Sequence, residues 1–283
     1  MASFVLIKSA SGPIEGRKNP LVTIDTKLTG EPVLWERLAW PQIEALAQRG
    51  QTLALLPLGA TEQHGPHLPV NTDSLFAHAF CCYASARTGA PVLPTITYGC
   101  SLGHTDRWPG TISLWPETLI NTLREVARFV LSAGFHRLLL VNSHWGNVPA
   151  ARCAIDHFRF EAAKHNAPFM IGLRSTFDLT PSIWQQFTDD AADFHANRAE
   201  TALMMHLDPS LVRMDQLRQA DDPDRTAGKV FTHVVPHTST NGVTGHPSRA
   251  TAADGRKLFM EIGEALTDVI RRAQVEQAPI PYH

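Results

Sequence analysis

Four short apolar runs punctuate the first part of the chain: residues 52–57 (TLALLP), 91–95 (PVLPT), 137–142 (RLLLVN) and 168–174 (PFMIGLR). Each is long enough for a strand, and none alternates between apolar and polar residues. That continuity marks strands buried on both faces. Helical stretches separate them. Residues 74–87 end before Gly89, and residues 149–164 follow the third run. The strongest helical pattern, 116–133, opens on a proline and closes before Gly134, with Leu119, Ile120, Leu123, Val126, Ala127 and Val130 along one face. The alternation predicts an α/β chain: three layers, α/β/α, around a mainly parallel central sheet.

Beyond Ser175 the pattern loosens. A helix is expected at about 199–207, a long polar insertion at about 208–251 and a terminal helix at about 253–274. No composition shift marks a boundary, so residues 1–283 read as a single domain with an N-terminal extension over 1–35. Residues 221–240 lack periodicity and are long for a compact domain, which suits a functional loop, an added hairpin or a subunit contact.

Charge and cysteine usage narrow the function. Lys and Arg number 25 against 27 Asp and Glu, leaving a net charge of -2 and no basic face for phosphates, so no nucleic acid partner is expected. No apolar run approaches the roughly 18 residues of a membrane span. Only four consecutive apolar residues precede Lys8, too few for a signal-peptide core, so the expectation is a cytoplasmic protein with no membrane partner. The four cysteines, Cys81, Cys82, Cys100 and Cys153, have no CxxC spacing and read as reduced core residues. Neither a GxxxxGK[ST] loop nor a GxGxxG fingerprint occurs, which removes the common nucleotide-binding readings of such a sheet.

What remains conspicuous is 14 histidines beside 3 tyrosines. In an open parallel sheet, ligands bind beyond the carboxyl ends of the strands. The first run delivers Glu62, His64, His67 and Asp73 to that edge. Glu62 and His64, two apart in extended backbone, project to one side, and the Gly-Pro pair after His64 stiffens a loop that returns Asp73. Glu, His and Asp suit Zn, Mn or Fe ions. The plainer alternative makes Asp73 a helix cap and the histidines partners of turn carbonyls. The third run ends in Ser143-His144-Trp145-Gly146-Asn147, placing a second histidine on the same edge. His195 and Glu200 are five residues apart, about 140° net on a helix, so His195 is expected in the turn before a helix and Glu200 in its first turn. Between these clusters, Gly103 to Thr111 reads as a substrate-facing loop, with Trp108 and Trp145 as walls of a small pocket or as packed core.

These residues together resemble the creatininase (creatinine amidohydrolase) family. The likeness is carried by the run from Leu58 to Asp73 (LGATEQHGPHLPVNTD), by Trp108-Pro109-Gly110-Thr111, by Ser143-His144-Trp145-Gly146-Asn147, by His195-Ala196-Asn197 with Glu200-Thr201, and by Gly242 to Pro247 with Ala250-Thr251. It spans about residues 38–265. The resemblance implies a creatininase-like α/β/α domain binding two divalent metal ions (Zn, Mn or Fe) and hydrolysing non-peptide C–N bonds of cyclic amides, lactams or formamides. Glu62 and His144 match ligands of one metal and His64 a ligand of the other. Asp73 matches the bridging carboxylate, Glu200 the acidic position at the second metal, and His195 the histidine acting on the scissile nitrogen. A homo-oligomer, often a hexamer, is also implied, with a small molecule as substrate. His104, Trp108, Trp145 and Asn147 are then expected to face it.

Two cations can lower the pKa of a bridging water and polarise a carbonyl together, while a histidine gives a proton to the departing nitrogen. Ser143 and Trp145 depart from the family's Gly-His-Gly-Gly-Asn, and Gly146 stands where creatininase itself has a metal-binding glutamate. A substrate other than creatinine is therefore expected. Alternatives are a family hydrolase acting on a carbocycle or a modified peptide terminus, and a non-catalytic, metal-stabilised binding protein.

Overall fold

The computed structural model describes residues 30–164 and 169–278. Residues 1–29 of the expected N-terminal extension, and Pro168 at the head of the fourth expected strand, lie outside the described residues. Three parallel strands form the sheet in the order β1-β2-β3: Leu53–Leu58, Arg137–Asn142 and Met170–Ser175. Their register pairs Leu53 with Arg137 and Arg137 with Met170, so the carboxyl ends of all three strands meet at one edge.

The second expected strand, 91–95, is not a regular strand. It lies parallel to β1 through isolated bridges at Leu55–Val92 and Leu58–Ile96. Proline explains the interruption: Pro91 and Pro94 have no N–H to give, and only Leu93 and Ile96 donate to β1, at 2.8 and 3.0 Å.

Strand alternation sorts the core into two halves. Leu53, Leu55, Leu139 and Val141 face one side, where they join Phe76 and Phe80 of α2 (Thr72–Thr88), Ile183 and Phe187 of α5 (Pro181–Thr188), Leu203 of α6 (Arg198–Leu207) and Leu258, Ile262 and Leu266 of α9 (Ala252–Val275). Ala54, Leu56, Leu58, Leu138 and Leu140 face the other side. There they meet Leu46 of α1 (Trp40–Gln48), Leu119 and Leu123 of α3 (Pro116–Ser132) and Phe158 of α4 (Val148–Lys164). This is the expected three-layer arrangement, with a buried leucine pair on each face of β1 contributing about 1.5–3 kcal/mol per side chain. Two further helices, α7 (Leu217–Ala220) and α8 (Val235–Thr238), are single turns within the polar insertion.

That insertion forms no hairpin beyond isolated antiparallel bridges, Asp222 with Gly245 and His195 with Thr244. Buried Asp222 closes its base. One carboxylate oxygen accepts from Ser239 Oγ (2.8 Å) and Thr240 N (2.6 Å), and the other pairs with Arg225 at 2.6 Å. Val230 and Phe231, between these anchors, are exposed. Of the cysteines, Cys81 and Cys100 are buried, whereas Cys153 is exposed on α4 and is not a core residue. Among the described residues no helix is long and apolar enough to cross a membrane.

Candidate metal centre

Glu62 and His64 sit in the loop leaving β1, Asp73 in the first turn of α2, His144 in the loop leaving β2, and Glu200 in the first turn of α6. All five are buried. The helix-cap alternative for Asp73 fails, because the N-cap of α2 is Asn71 and Asp73 aims inward. Its two oxygens lie 3.4 Å from His64 Nε2 and 3.1 Å from His144 Nδ1. Glu62 Oε2 lies 3.4 Å from His144 Nε2. His195 falls in the turn before α6, as its spacing from Glu200 requires. Asn197 caps that helix, accepting from the N–H groups of Ala199 and Glu200, and the N–H of Ala196 donates to Glu200 Oε2 at 2.6 Å. Ala196 holds φ of 50°, a conformation costly for alanine that is kept where the fold brings Glu200 and His195 together.

The ring nitrogens are already sorted. His64 Nδ1 donates to the Glu62 carbonyl at 3.0 Å, which leaves Nε2, aimed at Asp73, to take either a proton or an ion. His144 Nε2 donates to the Cys100 carbonyl at 2.9 Å, with Ser101 Oγ 3.2 Å away, which leaves Nδ1 as the inward atom. Fixing the outer nitrogen in this way is how proteins orient imidazole ligands. Glu62 Oε2, His64 Nε2 and Asp73 Oδ2 are buried with no hydrogen-bond partner. Buried polar atoms without partners stand in two groups of neighbouring ligand atoms, Glu62 and Asp73 beside His144 and His64 beside His195 and Glu200, which fits cations.

Electrostatics agree. Burial pulls His64 and His144 down, but Asp73 with Glu200 and Glu62 lifts His64 to about 10, and Glu62 with Asp73 lifts His144 to about 9. Burial favours the neutral form of Asp73, yet His64 and His144 outweigh it and hold the carboxyl below its usual range. Burial, aided by Asp73 and Glu62, raises Glu200 to about 7. Three carboxylates thus draw positive charge inward, by protons or by metal. Candidate ligand sets are Glu62, Asp73 and His144, then His64, His195 and Glu200, and a third of Glu62, His104 and His195.

The other expected residues divide. His104 joins the cluster, its Nε2 3.5 Å from Glu62 Oε1, and burial beside His144 and His64 keeps it neutral, down to about 3. His67 is buried and contacts Thr201 Oγ1 at 2.8 Å, one shell out. Trp145 is 57% exposed and packs at a tilt against Phe177 and Trp184 at 5.3 and 5.7 Å, and Trp184 in turn meets Phe194. The expected pairing of Trp145 with Trp108 is not among its ring contacts. Trp108 lies in the 105–111 loop under Arg107. Asn147 is spent on structure: its amide donates to the Gly59 carbonyl and to Asn142 Oδ1, and its oxygen accepts from the Cys100 N–H, so it ties loops together rather than facing substrate. Sequence reasoning passed over Gln63 and Ser101, although Gln63 lies between two expected ligands.

A parallel α/β/α sheet with carboxylates and imidazoles gathered at its carboxyl edge is the architecture of a metal-dependent hydrolase. Residues 36–270 match the creatininase family, described as creatinine amidohydrolase, and the chain belongs to that family. It is 34% identical to the mycofactocin precursor peptide peptidase of Mycobacterium tuberculosis over 235 residues, 77% of this chain and 83% of the relative. It is 30% identical to the creatinine amidohydrolase of Pseudomonas putida over 250 residues, 83% and 94% of the two chains. A manganese creatininase structure superposes with a TM-score of 0.77 at 29% identity, covering 87% of this chain and all of that one. The peptidase relative weighs against confining this chain to non-peptide bonds.

Proposed function

We propose that the protein hydrolyses an amide C–N bond at a two-metal centre, with Glu62, His144 and Asp73 holding one ion and His64, Asp73 and Glu200 the other. The observation that carries this reading is that buried ligand atoms without partners, Glu62 Oε2, Asp73 Oδ2 and His64 Nε2, occur in both groups of neighbouring imidazoles and carboxylates. Bound divalent ions supply an acidified water and a polarised carbonyl. The chain's own groups do the rest. His195 presents Nδ1 3.4 Å from Glu62 Oε1, where it takes a proton from the attacking water and returns it to the departing nitrogen as the C–N bond breaks.

Exposed Trp145 and partly exposed Trp184, backed by buried Phe177, form an aromatic rim that suits the end of a peptide, in keeping with the peptidase relative. A small cyclic amide, lactam or formamide is the second reading, supported by the creatinine amidohydrolase relative. Creatinine itself fits poorly, because Gly146 provides no carboxylate. We further propose a single cytoplasmic domain that assembles as a homo-oligomer.

Elemental analysis coupled to a hydrolysis screen over short peptides, lactams, cyclic ureides and formamides tests the reading. Up to two equivalents of Zn, Mn or Fe and release of an amine are expected. Full turnover by metal-stripped protein would overturn it, and bound metal without turnover across the screen would favour a non-catalytic binding role.

A further inference from the structure

Gln63 is buried at the centre of the candidate site, and every atom of its amide is committed. Its oxygen accepts from the Gly65 N–H at 3.0 Å. Its NH2 donates to the Gly242 carbonyl at 3.0 Å and lies 3.1 Å from His104 Nδ1 and 3.2 Å from His195 Nε2; because His195 Nε2 gives its proton to the nearer Gln63 carbonyl, the second amide hydrogen goes to His104. A backbone N–H can only donate and a carbonyl can only accept, so the amide has one orientation. The chain is shaped around it: Gly242 holds φ of 87°, and a Cβ there would stand 2.0 Å from Gln63 Oε1. The residue's own backbone carbonyl meets His195 Nε2 at 2.7 Å.

These contacts fix two histidines in opposite roles. His104 must accept at Nδ1, so its proton is on Nε2, the atom 3.5 Å from Glu62 Oε1. His195 must donate from Nε2, so its lone pair is on Nδ1, the atom 3.4 Å from the same oxygen. We infer that Gln63 is a positioning residue: its side chain makes His104 a fixed hydrogen-bond donor to Glu62, and its backbone leaves the His195 lone pair on Nδ1. Glu62, His104 and His195 therefore do not form an ion site of their own, because the inward nitrogen of His104 carries a proton. The functional part of the inference rests on the amide-hydrolase reading; the tautomers do not.

Long-range 1H–15N correlation spectra of the zinc-loaded full chain, labelled with 15N-histidine and assigned through His104→Asn and His195→Asn, report the tautomers directly. Both rings are expected as Nε2–H. In Gln63→Met, which keeps the side-chain size, His104 loses its preference while His195 keeps its tautomer, because a backbone carbonyl holds it. In Gln63→Glu the carboxylate draws the His104 proton to Nδ1. Metal content stays at the wild-type level, and kcat falls roughly tenfold or more with KM little changed, as for other residues that orient a site from behind. An Nδ1–H tautomer for His104 in the wild type overturns the inference whether or not either variant folds. So does a Gln63→Met spectrum in which both rings change together or neither does. Wild-type spectra as stated with no amide turnover would sink the hydrolase reading and leave the tautomer assignment standing.

Discussion

Adding one methyl group at Gly146 tests how closely the candidate centre is packed. A Cβ there would stand 2.1 Å from the Cys100 carbonyl oxygen and 2.6 Å from His144 Nε2, both inside van der Waals contact. Those two atoms are partners in the 2.9 Å hydrogen bond that aims His144. Neither can yield freely, since Cys100 is pinned by Asn147 through its own N–H. Overpacking costs about 1–3 kcal/mol. Losing the buried hydrogen bond costs about 1–3 kcal/mol more. Gly146→Ala should therefore lose about 2–6 kcal/mol, which at roughly 2–4 °C per kcal/mol lowers Tm by about 5 °C or more. Because the bond orients a candidate ligand, metal affinity should fall about 10- to 100-fold. Thermal melts of the metal-free protein isolate the first effect, and competition with a chromophoric chelator measures the second. A variant with wild-type Tm and wild-type affinity would refute the reasoning. The same geometry explains why restoring a glutamate here would not by itself restore a creatininase site.

Asp73→Ala should abolish metal retention and turnover together, read by elemental analysis and the amide screen; full occupancy would remove Asp73 from the centre. His195→Gln should keep its metal and lower kcat about 100-fold or more, as expected for loss of an acid–base group, whereas loss of metal would make it a ligand. Metal-free protein should lose stability as pH rises above about 6.5; His67, His104 and His195, held neutral by burial, act the other way only below that. His64 and His144, raised to about 10 and about 9, contribute stability that is present below about 6.5 and lost as those values are passed. Glu200, raised to about 7, acts in the same direction from about pH 4.5 upward. Melts at about pH 6 and about pH 9 should show a fall that zinc largely removes, and a rise with pH in the metal-free protein would contradict the assignment. Trp145→Ala should raise KM more than it lowers kcat, and the opposite split would take the aromatic wall out of substrate binding.

Much of the centre was legible because it follows from strand ends. Glu62, His64 and His144 lie immediately beyond apolar runs whose parallel pairing brings their carboxyl ends to one edge. His195 and Glu200 were placed by the 3.6-residue repeat, which forbids a shared helical face. Less legible were features set by contacts distant in sequence. The 91–95 run has strand composition, yet two prolines remove the donors a ladder needs. Asn147 looks like a substrate group until its amide is seen to be spent on Gly59, Asn142 and Cys100. Gln63 is flanked by candidate ligands, but its importance depends on Gly242, far along the chain, and no local pattern announces that meeting.

The insertion after α6 is pinched at its neck. Asp222 gathers Arg225, Ser239 and Thr240, and the next bridge along joins Thr244 to His195. Residues 235–239 stay tied to the candidate site, where Arg107 donates to the Pro236 and Ser239 carbonyls, whereas Val230 and Phe231 are exposed. Because the cost of closing a loop grows only slowly with its length, the segment around Val230 and Phe231 can be lengthened, shortened or replaced while His195 keeps its place. It is a practical site for attaching a label or a second domain.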